Sequence, residues 1–491
     1  MKSLQEILYQ VRLLEVRGEL LLDVPDLHFD SRQVGPGHLF VAVKGTQVDG
    51  HQFIGRAIES GAAVVVCQTL PEALDPGVTY VRVADSAEAL GQLASNFYGN
   101  PSRQLTVIGT TGTNGKTTVT TLLYQLFTAL GQRSGLISTV VNEVAGVPTA
   151  AKLTTPDAKQ LHGLFRQMVT AGCTHAFMEV SSIAVDQQRV AGTQFAGGIF
   201  TNLTHDHLDY HGTFPNYLRA KQKFFDALPA TAFALTNVDD RNGRIMTQNS
   251  RARLRTYAQH TGADYTARVI ENQLEGLHLD VMGQQVWFRL TGGFNAYNLL
   301  AACAAAVELG HDPHSVLLAA STLTGAPGRF ERLRLREHVM GIIDYAHTPD
   351  ALRNVLETAR ELMADGRGRL IVLAGCGGDR DATKRPEMGR IAAELADVAI
   401  LTSDNPRSED PEAILDAMER GLSASLRGRI RRITDRREAI STAAQLAEPH
   451  DLIVVAGKGH ESYQEINGVR LPFSDRDELL SAFSPPSPLH P

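Results

Sequence analysis

Apolar residues along this chain fall into two alternating rhythms. Short unbroken runs have the length and make-up of buried strands: Leu105 to Ile108, Ala176 to Val180, Gly197 to Asn202, Phe233 to Asn237, Gly341 to Asp344, Leu370 to Ala374, Val398 to Thr402 and Leu452 to Ala456. Between them lie stretches of helical character: Val119 to Leu130, the alanine-rich Asn295 to Leu309, Pro349 to Met363 and a segment from Pro411. Strands alternating with helices predict mostly parallel sheets covered on both faces. The first hundred residues are patterned separately. Leu4, Ile7, Leu8 and Val11 recur at helical spacing, and strand-like runs follow at Leu39 to Val43 and Ala62 to Cys67. Turn-rich breaks stand at Gly99-Asn100-Pro101-Ser102 and around Thr324 to Arg329. The fold class predicted is therefore α/β in three domains. These are a small α/β unit over 1–98, a central unit with a mostly parallel sheet over 99–327, and a doubly wound, Rossmann-like unit over 328–491. The proline-rich end from Ser484 reads as a frayed tail.

Composition narrows the classes. At 491 residues the chain is too long for one core, and 43% hydrophobic with 21% charged residues describes an ordinary globular protein. A formal net charge of −7 argues against a general nucleic-acid binder, so an anionic substrate must be met by local positive charge. Cys67, Cys173, Cys303 and Cys376 are scattered without metal-ligand spacing and read as buried reduced thiols. Glu6, Arg12, Glu15 and Arg17 interrupt the start of the chain, which excludes the apolar core of a signal peptide. No apolar run reaches membrane-spanning length. The expectation is a cytoplasmic monomer with neither a nucleic-acid nor a membrane partner.

The strongest chemical signal is Leu105-Thr-Val-Ile-Gly-Thr-Thr-Gly-Thr-Asn-Gly-Lys-Thr-Thr118, which predicts a strand, a glycine-rich turn and a helix starting near Lys116. That order builds a phosphate cradle. Gly112 and Gly115 let backbone N–H groups approach an anion, the helix N-terminus adds its dipole, and Lys116 adds a full charge. Thr117 offers its hydroxyl to a magnesium ion. The strict pattern has Gly where Thr110 stands, so this P-loop is a shortened variant. Lys116 is expected at an exposed loop-helix junction, aimed at phosphate. The reading is that the chain binds a nucleoside triphosphate.

A second signal is Asn202-Leu-Thr-His-Asp-His-Leu-Asp-Tyr-His211, dense in His and Asp at the C-terminal end of a predicted strand, where open α/β sheets place their sites. Zinc is one reading, but a neighbouring nucleotide favours magnesium. Glu179, at the end of its own strand, is a natural metal carboxylate. Lys221, on a helix with Arg219 and Lys223, would by itself pass for a solvated lysine.

GTNGKTT, EVSS, NLTHDHLDYH, YLRAK, GGFNAYN, GRFE, DYAHTPD, GGDRD, DNPR and GKGHE occur in one order along nearly the whole chain. In that register the sequence resembles the Mur ligases of peptidoglycan synthesis. More narrowly it resembles the branch that adds meso-diaminopimelate to UDP-N-acetylmuramoyl-L-alanyl-D-glutamate (UDP-MurNAc-L-Ala-D-Glu). The resemblance implies a UDP-substrate domain, a central ATPase domain and an amino-acid domain. It implies that Ser31, Thr46, Gln47 and Val48 meet the UDP-sugar, and that Thr154, Thr155, Ser181, Gln187 and Arg189 follow the sugar and peptide. ATP would be cradled by Gly112, Thr113, Asn114, Gly115, Lys116, Thr117 and Thr118, and held further by Asn298, Arg329 and Asp344. Glu179 and His207 match magnesium ligands. Lys221 stands where the family carries a carbamylated lysine, whose anion can bind the metal that a free ammonium would repel. Arg380, Asp404, Asn405, Pro406, Arg407, Gly457 and Glu461 match contacts to the incoming amino acid. Arg407 is the fork suited to the second carboxylate by which diaminopimelate differs from lysine.

Two departures from the family pattern stand out: Ile183 replaces the histidine of EVSSH, and Leu153 precedes Thr154 where some members carry a polar contact. The reaction implied is phosphorylation of the D-glutamyl side-chain carboxylate by ATP, then attack of the amine on the acyl phosphate. Three alternatives stay open at this level: the lysine-adding ligase, a folylpolyglutamate synthetase, and a binding module switched by ATP.

Overall fold

The computed structural model describes residues 1–45, 48–363 and 366–484. Thr46, Gln47 and the prolines beyond Ser484 lie outside the described residues. Among the described residues the chain builds three large α/β sheets of five, eleven and six strands.

In the five-stranded sheet, Leu27–His28, Leu39–Val41, Val64–Cys67 and Thr79–Val83 run parallel, and Leu13–Arg17 closes the edge antiparallel. The two strands foreseen here are each two residues shorter than expected. Val43 leaves the sheet to accept from Gly50 N–H, and Ala62 accepts no strand partner because its N–H caps the preceding helix at Ala57.

The eleven-stranded sheet is parallel at its centre, in the order Ser134–Ile137, His175–Glu179, Thr106–Thr111, Gly197–Phe200, Phe233–Asn237, Arg253–Ala258. The central strand Thr106–Thr111 leads into helix Lys116–Ala129. That helix is held by Val119, Leu122, Leu123, Leu126 and Phe127, at spacings of three and four residues that form one buried stripe. The stripe packs against helix Gly293–Glu308, whose Ala301, Ala302 and Ala304 to Ala306 are small enough for close approach. Truncating Leu126 to Ala would open a cavity there at a cost of about 2–5 kcal/mol. The sheet extends beyond the parallel core through Tyr265–Gln273, Gly276–Val281 and Gln284–Phe288, an antiparallel meander not foreseen from the sequence.

The six-stranded sheet runs Glu331–Arg336, Val339–Asp344, Leu452–Ala456, Leu370–Ala374, Val398–Leu401, Ile430–Arg432, with the first pair antiparallel and the rest parallel. Helices cover both of its faces around two apolar clusters. The strands reach their C-terminal ends at Asp344, Ala456, Ala374 and Leu401, so the loops that follow open on one side, the usual side for ligands. All four cysteines are buried and unpaired. No helix among the described residues is long and apolar enough to cross a membrane.

Candidate active site

The glycine-rich turn is held by the neighbouring strand end rather than by itself. Thr113 N–H donates to Asn202 O at 2.8 Å and Asn114 N–H to Asn202 Oδ1 at 2.9 Å. Thr201 Oγ1 donates to Asn114 O at 2.6 Å. A Cβ on Gly112 would collide with Thr201 Oγ1, and one on Gly115, at φ +85°, would lie 2.6 Å from Asn298 Oδ1. Both glycines are therefore required by close approach. Lys116 is not exposed as expected. It is half-buried and curls back so that Nζ donates to the carbonyls of Gly112, 3.0 Å, and Thr113, 2.8 Å. Burial pulls its pKa down, while Glu179 and Asp206 oppose that shift.

Thr117 Oγ1 accepts from Arg329 Nη2 at 3.0 Å, so the C-terminal part of the chain reaches the P-loop helix directly. The Arg329 guanidinium lies 4.5 Å from the Tyr345 ring centre. Next to Tyr345, Asp344 is buried and accepts from Phe330 N–H at 2.7 Å, and burial raises its carboxyl to about 6. Asn298 donates to Asn295 Oδ1 at 2.9 Å. Thr118 is buried one residue further into the helix.

Glu179 is fully buried. Its Oε1 accepts from Thr139 N–H at 2.7 Å, and its Oε2 has no hydrogen-bond partner. An orphaned carboxylate oxygen in a buried position is costly unless a cation uses it. His207 adopts φ +53° at the start of helix Leu208–His211, with Nε2 3.4 Å from Asp206 Oδ2, and burial lowers its pKa. Among the described residues no three His, Cys, Asp or Glu side chains converge as a self-sufficient metal site.

Lys221 is not the solvated lysine its helix suggests. It is 1% exposed, its Nζ donates to Gly112 O at 2.8 Å, and it sits 4.9 Å from the Tyr217 ring centre. Burial, and then the charge of Lys116, push its pKa well below the ordinary lysine value.

Beside Glu179 runs a polar network. Thr155 Oγ1 donates to Glu179 O at 2.8 Å, Ser181 N–H donates to Thr155 Oγ1 at 3.1 Å, and Arg189 Nη1 donates to Thr155 O at 3.1 Å. Gln187 Oε1 accepts from Arg189 Nη2 at 2.6 Å, and Thr154 Oγ1 accepts from Thr139 Oγ1 at 3.1 Å. One cavity of about 790 Å³ is lined by Thr139, Thr154, Thr155, Ser181 and Arg189 of this network, though not by Gln187, by Glu179, His207 and Lys116, and by Asn298, Arg329, Asp344 and Arg380. Leu153 and Ile183, the two departures, line it as well. Ser31 and Val48 do not: Ser31 is buried at the start of a short helix in the N-terminal unit, and Val48 is exposed on a loop there.

The remaining candidates gather at the sheet ends of the C-terminal unit. Asn405 Oδ1 accepts from Lys458 Nζ, 3.0 Å, and Glu465 N–H, 2.9 Å, and Asn405 Nδ2 donates to Glu461 Oε2 at 2.8 Å. The Asn405 oxygen is thus committed and is not free for a ligand amine, unlike the carboxylate of buried Asp404. Gly457, at φ +118°, brings its backbone against Asp404, since a Cβ there would lie 2.6 Å from Oδ2. Arg407, after Pro406, is half-buried with Nη1 2.6 Å from Gly378 O, and Arg380 is exposed nearby.

Residues 26–98 match the model described as the Mur ligase family, catalytic domain. Residues 110–306 match the Mur ligase middle domain, and 328–459 the Mur ligase, glutamate ligase domain. A protein of Cytophaga hutchinsonii named UDP-N-acetylmuramoyl-L-alanyl-D-glutamate–2,6-diaminopimelate ligase is 52% identical, over 96% of this chain and 97% of its own. The chain belongs to the Mur ligase family. A second relative of the same name, from Parabacteroides distasonis, is also 52% identical, over 94% of this chain and 95% of its own. A solved structure of a ligase of that name is 34% identical with a TM-score of 0.68, over 98% of this chain and 99% of its own.

Two residues of this Mur ligase site escaped the sequence reading. Lys458 is fully buried with Nζ 2.8 Å from Glu461 Oε2, and it lies inside GKGHE between two glycines of positive φ, a pattern that marks a lysine presented by a tight loop. Tyr217, whose hydroxyl lies 3.0 Å from Thr113 Oγ1, carried no local signal.

Proposed function

We propose that this Mur ligase joins meso-diaminopimelate to the D-glutamyl side-chain carboxylate of UDP-MurNAc-L-Ala-D-Glu at the expense of ATP, releasing ADP and phosphate. The carrying observation is identity at 52% to a ligase of that name along 96% of this chain, all three sheets included.

The chain's own groups suit the chemistry. ATP would lie on the loop Gly112 to Thr118 with Lys116 turned from its loop carbonyls toward phosphate, where it would neutralise charge on the transferring phosphoryl group. Arg329 and Asp344 would hold the nucleotide from the C-terminal side, and Asn298 from the central unit. The γ-phosphoryl passes to the substrate carboxylate, giving an acyl phosphate. The amine of diaminopimelate then attacks the acyl carbon, an amide forms and phosphate leaves. Thr154, Thr155, Ser181, Gln187 and Arg189 would steer the peptidyl end of the substrate toward that point. Ser31 and the loop of Thr46, Gln47 and Val48 would hold the UDP end.

The residues fit magnesium better than a metal that needs a full protein cage. Magnesium is commonly bound by one or two carboxylates together with substrate phosphates and water. The orphaned Glu179 Oε2, His207, the Thr117 hydroxyl and a carbamate on Lys221 would hold it. Bound there, it would supply charge stabilisation to phosphoryl transfer. Burial, which lowers the Lys221 pKa, favours the uncharged amine, the form that adds carbon dioxide.

Diaminopimelate would lie against Asp404, Asn405, Pro406 and Arg407, with Arg380, Gly457 and Glu461 around it. The test is ADP release by the purified enzyme. Turnover that needs both the UDP-dipeptide and diaminopimelate supports the reading, and equal ATP hydrolysis without either contradicts it.

A further inference from the structure

Among the described residues, Arg436 is the bulkiest fully buried side chain. Its location is electrostatically expensive. It is the first residue of helix Arg436–Leu446, where the helix dipole presents its positive end. Nε and Nη2 donate to Asp475 Oδ1 and Oδ2, both at 2.7 Å, and neither side chain is exposed. Asp475 opens helix Asp475–Phe483, which that dipole favours.

The two remaining bonds run elsewhere. Nη1 donates to Ser403 O at 3.2 Å and Nη2 to Ala456 O at 2.9 Å. Ser403 directly precedes Asp404 and Asn405, and Ala456 directly precedes Gly457 and Lys458. These loops leave strands Val398–Leu401 and Leu452–Ala456, which are not neighbours, because Leu370–Ala374 lies between them. The ladders of the six-stranded sheet therefore do not fix one loop against the other where they leave the strand ends. On the ligand side they are joined near the strand ends by Lys458, Asn405 and Glu461, and further out by a backbone bridge in which Arg407 N–H donates to Glu465 O at 3.0 Å and Asn467 N–H to Arg407 O at 2.6 Å.

We infer that Arg436 is a positioning residue for the amino-acid site, a clamp that holds the two ligand-bearing loops in register from behind. Asp475 neutralises the clamp and fixes its fork so that two donors face the two carbonyls. A buried ion pair serving stability alone is replaceable by apolar residues of similar volume, whereas a clamp is not. The inference rests on the amino-acid site proposed above.

Two variants separate these roles. Arg436→Lys keeps a cation for Asp475 but cannot serve both carbonyls. The double variant Arg436→Met/Asp475→Leu removes the charges together, so that neither is left buried alone. KM is measured for diaminopimelate, ATP and the UDP-dipeptide, with hydrogen exchange at 403–407 and 456–461. The clamp predicts a diaminopimelate KM raised about tenfold or more, the other two KM values within about twofold, and faster exchange in both loops. A cooperatively melting double variant with wild-type diaminopimelate KM and wild-type exchange overturns it. Should the double variant not fold, Arg436→Lys decides by the same readouts. Exchange needs no substrate, so it reads the clamp even if the wild type turns over some other amine. That result would count against the proposed function instead.

Discussion

Replacing Asp344 by Asn should move stability and nucleotide binding in opposite directions. Burial raises the Asp344 carboxyl from 3.8 to about 6, against the pull of Arg329. An acid whose folded pKa is raised binds its proton more tightly when folded. Its charge therefore costs nothing below the ordinary value and costs stability increasingly as pH climbs toward 6. Two pKa units correspond to about 3 kcal/mol at pH values above that window. Asn keeps an acceptor for the Phe330 N–H, now at 2.7 Å, but adds a buried amide donor that costs about 1 kcal/mol if unpaired. The net expectation is a gain of about 2 kcal/mol above pH 6, fading to a small loss below about pH 4. Calorimetry of both proteins across that range reads the difference, a shift on the order of 5 °C for a unit of this size. The same variant should bind ATP about tenfold or more weakly, because the charge-assisted hydrogen bond proposed between Asp344 and the nucleotide would be lost. A variant destabilised equally at every pH would refute the reasoning, since the penalty would then not lie in the charge.

Lys116→Ala should lower ligation about a hundredfold or more while circular dichroism stays unchanged, and near-normal turnover would remove the nucleotide assignment. Lys221→Ala should be nearly inactive and regain some activity with short carboxylic acids that stand in for the carbamate. An unmodified Lys221 in an active, magnesium-bound crystal structure would count against it. Gly115→Ala forces a side chain into φ +85° and against Asn298, so it should cost about 1–2 kcal/mol of strain and weaken ATP binding. Wild-type affinity in a calorimetric titration would show that the turn has room to spare.

What could be read from the chain was whatever is local. Leu105 to Thr118 spells a strand, turn and helix in consecutive residues, and the structure begins its helix at Lys116 as the spacing predicts. The alanine-rich helix was legible for the same reason, its start displaced to Gly293. The meander from Tyr265 to Phe288 was not read, because its strands alternate exposed polar and buried apolar positions without a long apolar run. In the site, positions were legible and environments were not. Lys221 sits among Arg219 and Lys223 in sequence, yet only the fold turns it under Gly112, where burial lowers its pKa. Lys116 likewise keeps its place in the motif while its ammonium is folded onto the loop carbonyls. Arg436 and Asp475 are far apart in sequence, and no spacing rule pairs them.

The central claim is the identity of the amino acid, and a competition between diaminopimelate and lysine tests it most directly. The proposed pairing of the second carboxylate with the Arg407 guanidinium would be worth about 1.5–3 kcal/mol, or roughly ten- to a hundredfold in kcat/KM. The wild type should therefore join diaminopimelate to UDP-MurNAc-L-Ala-D-Glu with at least that preference, and Arg407→Ala should lose most of it. Equal use of lysine by the wild type, or an undiminished preference in Arg407→Ala, would contradict the account.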